Sequence, residues 1–258
     1  MQCLAARQVR YMIVARNAMS ATPAFQSAPP VSSTPKLKRT IQALAMLGLL
    51  TAAVFGSAGR IDWIRGWICL IAYILAMSTA AALIKLKNPA LLEARANWRH
   101  KDTKSFDKIF LAIYLPLIFI QPALAGLDAV RFRWSSMPFA TVYAGIALYV
   151  IATAIIGWTM TVNPFAESTV RIQTDRGHKT VTTGPYRIVR HPMYVGAISM
   201  YIGAPLIFGS LWALVAGGLI AALFIWRTAM EDRTLRRELP EYEQFAAVTR
   251  YRLLPGVW

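Results

Sequence analysis

The stretch Met193–Trp226 reads MYVGAISMYIGAPLIFGSLWALVAGGLIAALFIW, 34 residues with no Asp, Glu, Lys, Arg or His. As one helix it would be about 50 Å long, well beyond a hydrocarbon core of roughly 30 Å. It therefore has to fold back. Phe208-Gly209-Ser210 is its strongest turn signal. The expected result is a hairpin of two helices, Met193–Phe208 and Leu211–Thr228, with Gly203-Ala204-Pro205 as a kink signal in the first.

Four further apolar blocks precede the hairpin: Ile41–Gly59, Ile64–Ile84, Ile109–Leu127 and Pro138–Met160. The third contains Pro116 and Pro122. Membrane helices accept such prolines when neighbours satisfy the freed carbonyls. The predicted fold is all-α, a polytopic transmembrane helical bundle of about six spans with a C-terminal helical hairpin. The composition agrees: 56% of the 258 residues are hydrophobic and 16% charged, against about 45–50% and about 25% for a soluble domain.

The net charge is +16. The basic residues fall between apolar blocks rather than on one soluble surface, which argues against nucleic acid and for lipid headgroups as their partners. With six spans, 24 of the 28 Lys and Arg lie on one side of the membrane. The positive-inside rule then places both termini in the cytoplasm, and the expected location is a plasma membrane, the inner membrane of a bacterium. Residues 1–37 contain no Asp or Glu, carry Arg7, Arg10 and Arg16, and end in the Ser/Pro-rich stretch Ser27–Pro35. They read as a targeting segment, a disordered tail, or a start placed too early, with 38–258 as the membrane domain. Cys3 and Cys69 have no disulfide framework around them, and His100, His178 and His191 lack metal-ligand spacing, so no metal is expected. Asn88–Arg99 reads either as a polar loop or as a short interfacial helix. In the helix, Pro89 comes first, Leu91, Leu92, Ala94 and Trp98 face lipid, and Glu93, Arg95 and Arg99 face water.

Two basic segments bracket the hairpin, so its fold-back brings them together at one membrane face. The first holds Gly184-Pro185, Arg187, Arg190 and His191, with Pro192 suited to a first helical turn and Gly196 one turn further in. The second holds Glu231-Asp232, Glu241-Tyr242, Arg250 and Arg252. A ligand with both cationic and anionic groups could be gripped between them. Taken singly, the same residues have plainer uses: Arg187 and Arg190 as headgroup anchors, His191 as a cap, Glu231 as the i+4 partner of Arg227.

Arg190-His191-Pro192-Met193-Tyr194-Val195-Gly196, followed about 35 residues later by Glu231-Asp232 and then Glu241-Tyr242, resembles the isoprenylcysteine carboxyl methyltransferase and phospholipid methyltransferase superfamily of integral-membrane enzymes. The resemblance covers about residues 140–258. It departs at Asp232, where the family carries a second Glu, and at Phe245, where a Tyr is frequent. It implies a cytosol-facing pocket for S-adenosylmethionine. Tyr186, Arg190, His191, Pro192, Tyr194 and Gly196 would lie on one side, with Glu231 and Asp232 on the other. It also implies a lipidic or small-molecule methyl acceptor. A carboxylate acceptor would be held by Arg250 or Arg252, and an amine or thiol would lose its proton to His191. Two rival readings stand beside this one. The tail Tyr251–Trp258 also looks like that of NADPH-dependent membrane sterol reductases, although those have Asn and an acidic residue where this chain has Met193 and Ala197. A non-enzymatic membrane protein keeping the scaffold is the other.

Overall fold

The computed structural model describes residues 36–96 and 100–258. The expected tail, with Cys3, lies outside them apart from the first turn of the first helix, as do Trp98 and Arg99. The order is α1 (Lys36–Ala58), α2 (Ile64–Lys87), α3 (Pro89–Ala96), α4 (Ser105–Gly126), α5 (Thr141–Val162), α6 (Pro192–Phe208), α7 (Leu211–Glu238) and α8 (Tyr242–Val248). There is no strand among the described residues.

Five of these helices are long and apolar enough to cross a membrane: α1, α2, α4 with its continuation to Phe132, α5 and α7. The sixth expected span is α6, with 17 residues, about 26 Å of helix and at the low end of the spanning range. The bundle is held by close backbone approaches. A Cβ on Gly145 of α5 would lie 2.6 Å from the Gly203 carbonyl oxygen of α6. Small residues at such crossings are how membrane helices gain dispersion contact where water supplies no drive.

The hairpin turn falls where the uncharged stretch predicts it. Gly209 ends α6 in the left-handed region at φ 78° and donates to the Pro205 carbonyl at 2.8 Å. Ser210 then caps α7, its Oγ accepting the Ala213 N–H at 3.0 Å. Buried Asp128 fixes this end, its Oδ2 accepting from the hydroxyls of Ser210 and Ser135, each at 2.6 Å. At the other end Lys104 N–H donates to Val170 O at 3.0 Å, and Arg190 N–H to Tyr251 O at 2.9 Å. Residues 85–96, 100–108, 161–192 and 227–258 thus share one end of the bundle, as their basic content predicts.

Three expectations need correction. α7 does not stop at Thr228 but runs to Glu238: residues 229–239 are good helix formers, and the next proline is Pro240. The third span continues past Leu127 as a π-helical turn to Phe132, which buries Asp128. α3 exists, but Leu91 and Ala94 are buried in protein rather than lipid, and Arg95 points inward, its Nη1 donating to the Ala166 carbonyl at 2.6 Å. Asn88 is the anchor: its Nδ2 donates to the carbonyls of Met160 and Asn163.

Candidate active site

Gly184-Pro185 turns the chain through a short 3-10 stretch, Gly184–Arg187, and Pro192 opens α6. Between them Arg190 and His191 are held by backbone pairing, their N–H groups donating to the carbonyls of Tyr251 and Arg252 at 2.9 and 3.0 Å. Asp232 organises this wall. It is fully buried and accepts from Arg190 Nε at 2.7 Å, Tyr242 Oη at 2.9 Å, Arg252 Nε at 3.0 Å and Arg236 Nε at 3.3 Å, with His191 Nε2 at 3.4 Å. Burial and the neighbouring Asp232 charge push the Tyr242 hydroxyl well above its ordinary pKa.

Glu231 is arranged differently. It faces a polar cavity at the same end of the bundle and accepts from the Tyr194 hydroxyl. Arg227 does not pair with it. Arg227 Nε lies 2.8 Å from Asp107 Oδ1, its Nη2 donates to the Ser168 carbonyl, and its guanidinium stacks over the rings of Phe110 and Tyr194. No basic side chain among the described residues forms an ion pair with Glu231.

The opposite wall is the connection from α5 to α6, read from sequence only as a basic loop. Glu167 is buried and ties it together, accepting from Arg171 Nε at 2.9 Å and Arg176 Nη1 at 3.0 Å. Phe165 and His178 pack ring against ring at 4.7 Å. Burial pushes His178 down to about 4, so its imidazole is neutral at pH 7. The Tyr186 hydroxyl is pushed up by burial and accepts from Asn163 Nδ2 at 2.5 Å. Two buried hydroxyls on this wall, Thr169 Oγ1 and Thr180 Oγ1, have no hydrogen-bond partner.

Of the residues singled out from sequence, Tyr186, Arg190, His191, Met193, Tyr194, Glu231 and Tyr242 are among those that line this cavity. Pro192 and Gly196 do not. A Cβ on Gly196 would meet Ile156 Cγ1 at 2.6 Å, so that glycine lets α6 approach α5. Asp232 lies behind the wall. The Arg250 side chain is exposed, and its carbonyl accepts from Arg190 Nη1 at 2.6 Å. Arg252 binds Asp232 and lies 4.7 Å from the Trp258 ring. Sequence reasoning missed Asn163, Phe165, Glu167, Thr169 and Thr180. Their only local signal is the Glu167–Arg171 spacing of four.

A second cavity, about 570 Å³, opens among the membrane helices. It is lined mainly by apolar side chains such as Leu70, Met77, Ile118, Met200 and Phe208, with the Tyr114 and Tyr201 hydroxyls 2.5 Å apart beside it. Glu167, Thr169, Met193, Tyr194 and Arg227 line both cavities. The polar and the apolar space therefore meet at the first turn of α6.

The family model described as phospholipid methyltransferase matches residues 140–241. That stretch comprises α5, the connection that walls the polar cavity, and the α6–α7 hairpin with Glu231. Residues 140–241 are thus similar to a phospholipid methyltransferase domain, within a multi-pass helical bundle. A comparison with curated proteins finds no match to this chain.

Proposed function

We propose that the protein is an S-adenosylmethionine-dependent methyltransferase in which the cofactor occupies the polar cavity and the acceptor enters from the apolar one. The observation that carries this reading is the junction at Met193, Tyr194 and Arg227, where the two cavities share a wall. Methyl transfer needs a hydrophilic donor and its acceptor in contact with water excluded, and the junction supplies that meeting point.

The residues present fit the cofactor. Glu231, with no ion-pair partner among the described residues, suits a ligand with a positive centre. Phe165, Tyr186 and His178 offer aromatic faces to a base, and the unsatisfied hydroxyls of Thr169 and Thr180 await polar partners such as a ribose or carboxylate. When bound, the cofactor supplies an electrophilic methyl on sulfur. The protein positions it, closes the site and holds the acceptor. The basic end of the bundle, with the polar cavity in it, faces the cytoplasm in this reading.

The test is equilibrium binding of labelled S-adenosylmethionine to the purified full chain, with NADPH as competitor. Saturable S-adenosylmethionine binding that Glu231→Gln weakens is the expected result. Tight NADPH binding without S-adenosylmethionine binding would replace this reading with a reductase. Binding of neither would leave the scaffold without enzymatic use.

A further inference from the structure

Two hydroxyls meet at the apolar cavity. Tyr114 of α4 and Tyr201 of α6 both line it, with their oxygens 2.5 Å apart. Tyr201 stands seven residues after Tyr194, on the same face of α6 and about 10 Å further along it, away from the polar cavity. The two tyrosine rings pack edge to face at 5.8 Å, and each contacts Phe224, at 5.5 and 6.1 Å. Phenylalanine at both positions would supply that packing equally well. What the tyrosines add is their hydroxyls. Each hydroxyl has one hydrogen to donate, and the bond between them uses one of the two. Neither oxygen has another hydrogen-bond partner among the described residues. One donor is therefore left over beside a space lined mainly by apolar side chains, where an unmet donor is costly.

We infer that the Tyr114–Tyr201 pair recognises an oxygen in the body of the cavity's ligand, so that this ligand is an amphiphile with a hydrogen-bond-accepting oxygen, such as a carbonyl, part-way along its chain. The spare hydrogen of the pair donates to that oxygen. The oxygen lies about two helix turns from the junction at Tyr194, where the ligand's head meets the polar cavity. A plain hydrocarbon chain fills the same volume but leaves the donor unmet, and a site built to hydrogen-bond a group discriminates against the analogue that lacks it. The pair also keeps its function when one member is lost, because a lone hydroxyl still carries a hydrogen to give. Binding of this ligand stands apart from the methyltransferase reading above, and only its use as methyl acceptor rests on that reading. Tyr114 lies outside the stretch 140–241 that matches the family model and Tyr201 inside it, so the pair joins the matched stretch to a helix that precedes it.

The experiment uses the full chain in detergent with three probes of one chain length and one head: octadecanol, its ketone with the carbonyl about 10 Å from the head, and its ketone with the carbonyl next to the head. Displacement of a fluorescent fatty alcohol reads their affinities, and binding of labelled S-adenosylmethionine is measured on the same samples. The wild type should bind the mid-chain ketone about tenfold more tightly than octadecanol, and ahead of the other ketone. Tyr114→Phe combined with Tyr201→Phe should bring that preference close to parity. Partitioning of the probes into micelles is the same for both proteins and cancels in the comparison. Each single Phe variant should keep most of the preference. Equal affinity for octadecanol and the mid-chain ketone in the wild type would overturn the inference, as would displacement by none of the probes. So would a preference undiminished in the double variant. If the double variant does not fold, the order of the three probes on the wild type decides, and the ketone next to the head binding as tightly as the mid-chain one overturns the inference. Absence of S-adenosylmethionine binding in the wild type would sink the methyltransferase reading and leave the preference for the mid-chain oxygen standing.

Discussion

Asp232 and Glu231 are adjacent in sequence, and their replacement should produce opposite phenotypes. Asp232→Ala strips the buried acceptor from Arg190, His191, Arg236, Tyr242 and Arg252. Removing one partner of a buried ion pair costs about 3–5 kcal/mol, because the other charge is left uncompensated. Arg190 keeps its bonds to the carbonyls of Thr249 and Arg250, which favours the lower end, about 3 kcal/mol. At about 2–4 °C per kcal/mol for a chain of this size, the unfolding midpoint should fall by roughly 6–12 °C. Glu231→Gln removes a charge that faces the cavity and keeps the shape that meets Tyr194. Its midpoint should stay within a degree or two, while S-adenosylmethionine binding loses a charge-assisted contact of about 1.5–3 kcal/mol, roughly a ten- to hundredfold rise in Kd. Thermal unfolding of the detergent-solubilised protein and a binding isotherm on the same samples read both effects. If Asp232→Ala keeps the wild-type midpoint and loses binding, Asp232 is a ligand and the reasoning from its burial fails.

Thr180→Val should raise the Kd for S-adenosylmethionine about tenfold with little change in midpoint, because its hydroxyl is buried beside the cavity without a partner in the protein. His178 is held near 4 in the folded state, against 6.5 for an unperturbed imidazole, so between those values the unfolded chain binds more protons. Stability should therefore be full above about pH 6.5 and fall as pH drops toward 4, and His178→Asn should flatten that acid-side slope in midpoints measured against pH. Gly196→Leu drives a side chain into Ile156 and the Ala152 carbonyl. It should cost about 1–3 kcal/mol by overpacking, read as a lower midpoint, whereas Gly218→Leu, with open space around its Cβ position, should cost less.

What the sequence reveals follows from how local each signal is. The turn at Gly209-Ser210 is legible because a 34-residue apolar run cannot fit the bilayer as one helix, and its strongest turn signal lies near its middle. Arg190, His191, Tyr194 and Glu231 are legible because they sit at the two ends of that hairpin and must come together. The wall from Asn163 to Thr180 is not, because its order comes from buried ion pairs and carbonyl bonds without any periodicity, such as Arg176 Nη2 to Pro164 O. The pairing of Arg227 with Asp107 joins residues 120 positions apart, and the helical spacing to Glu231 suggests a different partner. Arg95 reads as a solvated face because α3 is short. Only the packing of Leu91 and Ala94 against the core turns Arg95 inward. Asp232 reads as a second ligand from its neighbour's role. Its burial on the inner side of α7 against Arg190, Tyr242 and Arg252 has no signal in the sequence.

The backbone pairing of Arg190 and His191 with Tyr251 and Arg252 has a consequence for biogenesis. Arg190 leaves the ribosome 42 residues before Asp232 and about 60 before the carbonyls that complete its shell. During that interval the nascent chain carries an unneutralised guanidinium directly ahead of a segment that must enter the bilayer. On the proposed function, cofactor affinity acquired during synthesis should report finished insertion, since this cavity wall needs residues that follow the hairpin.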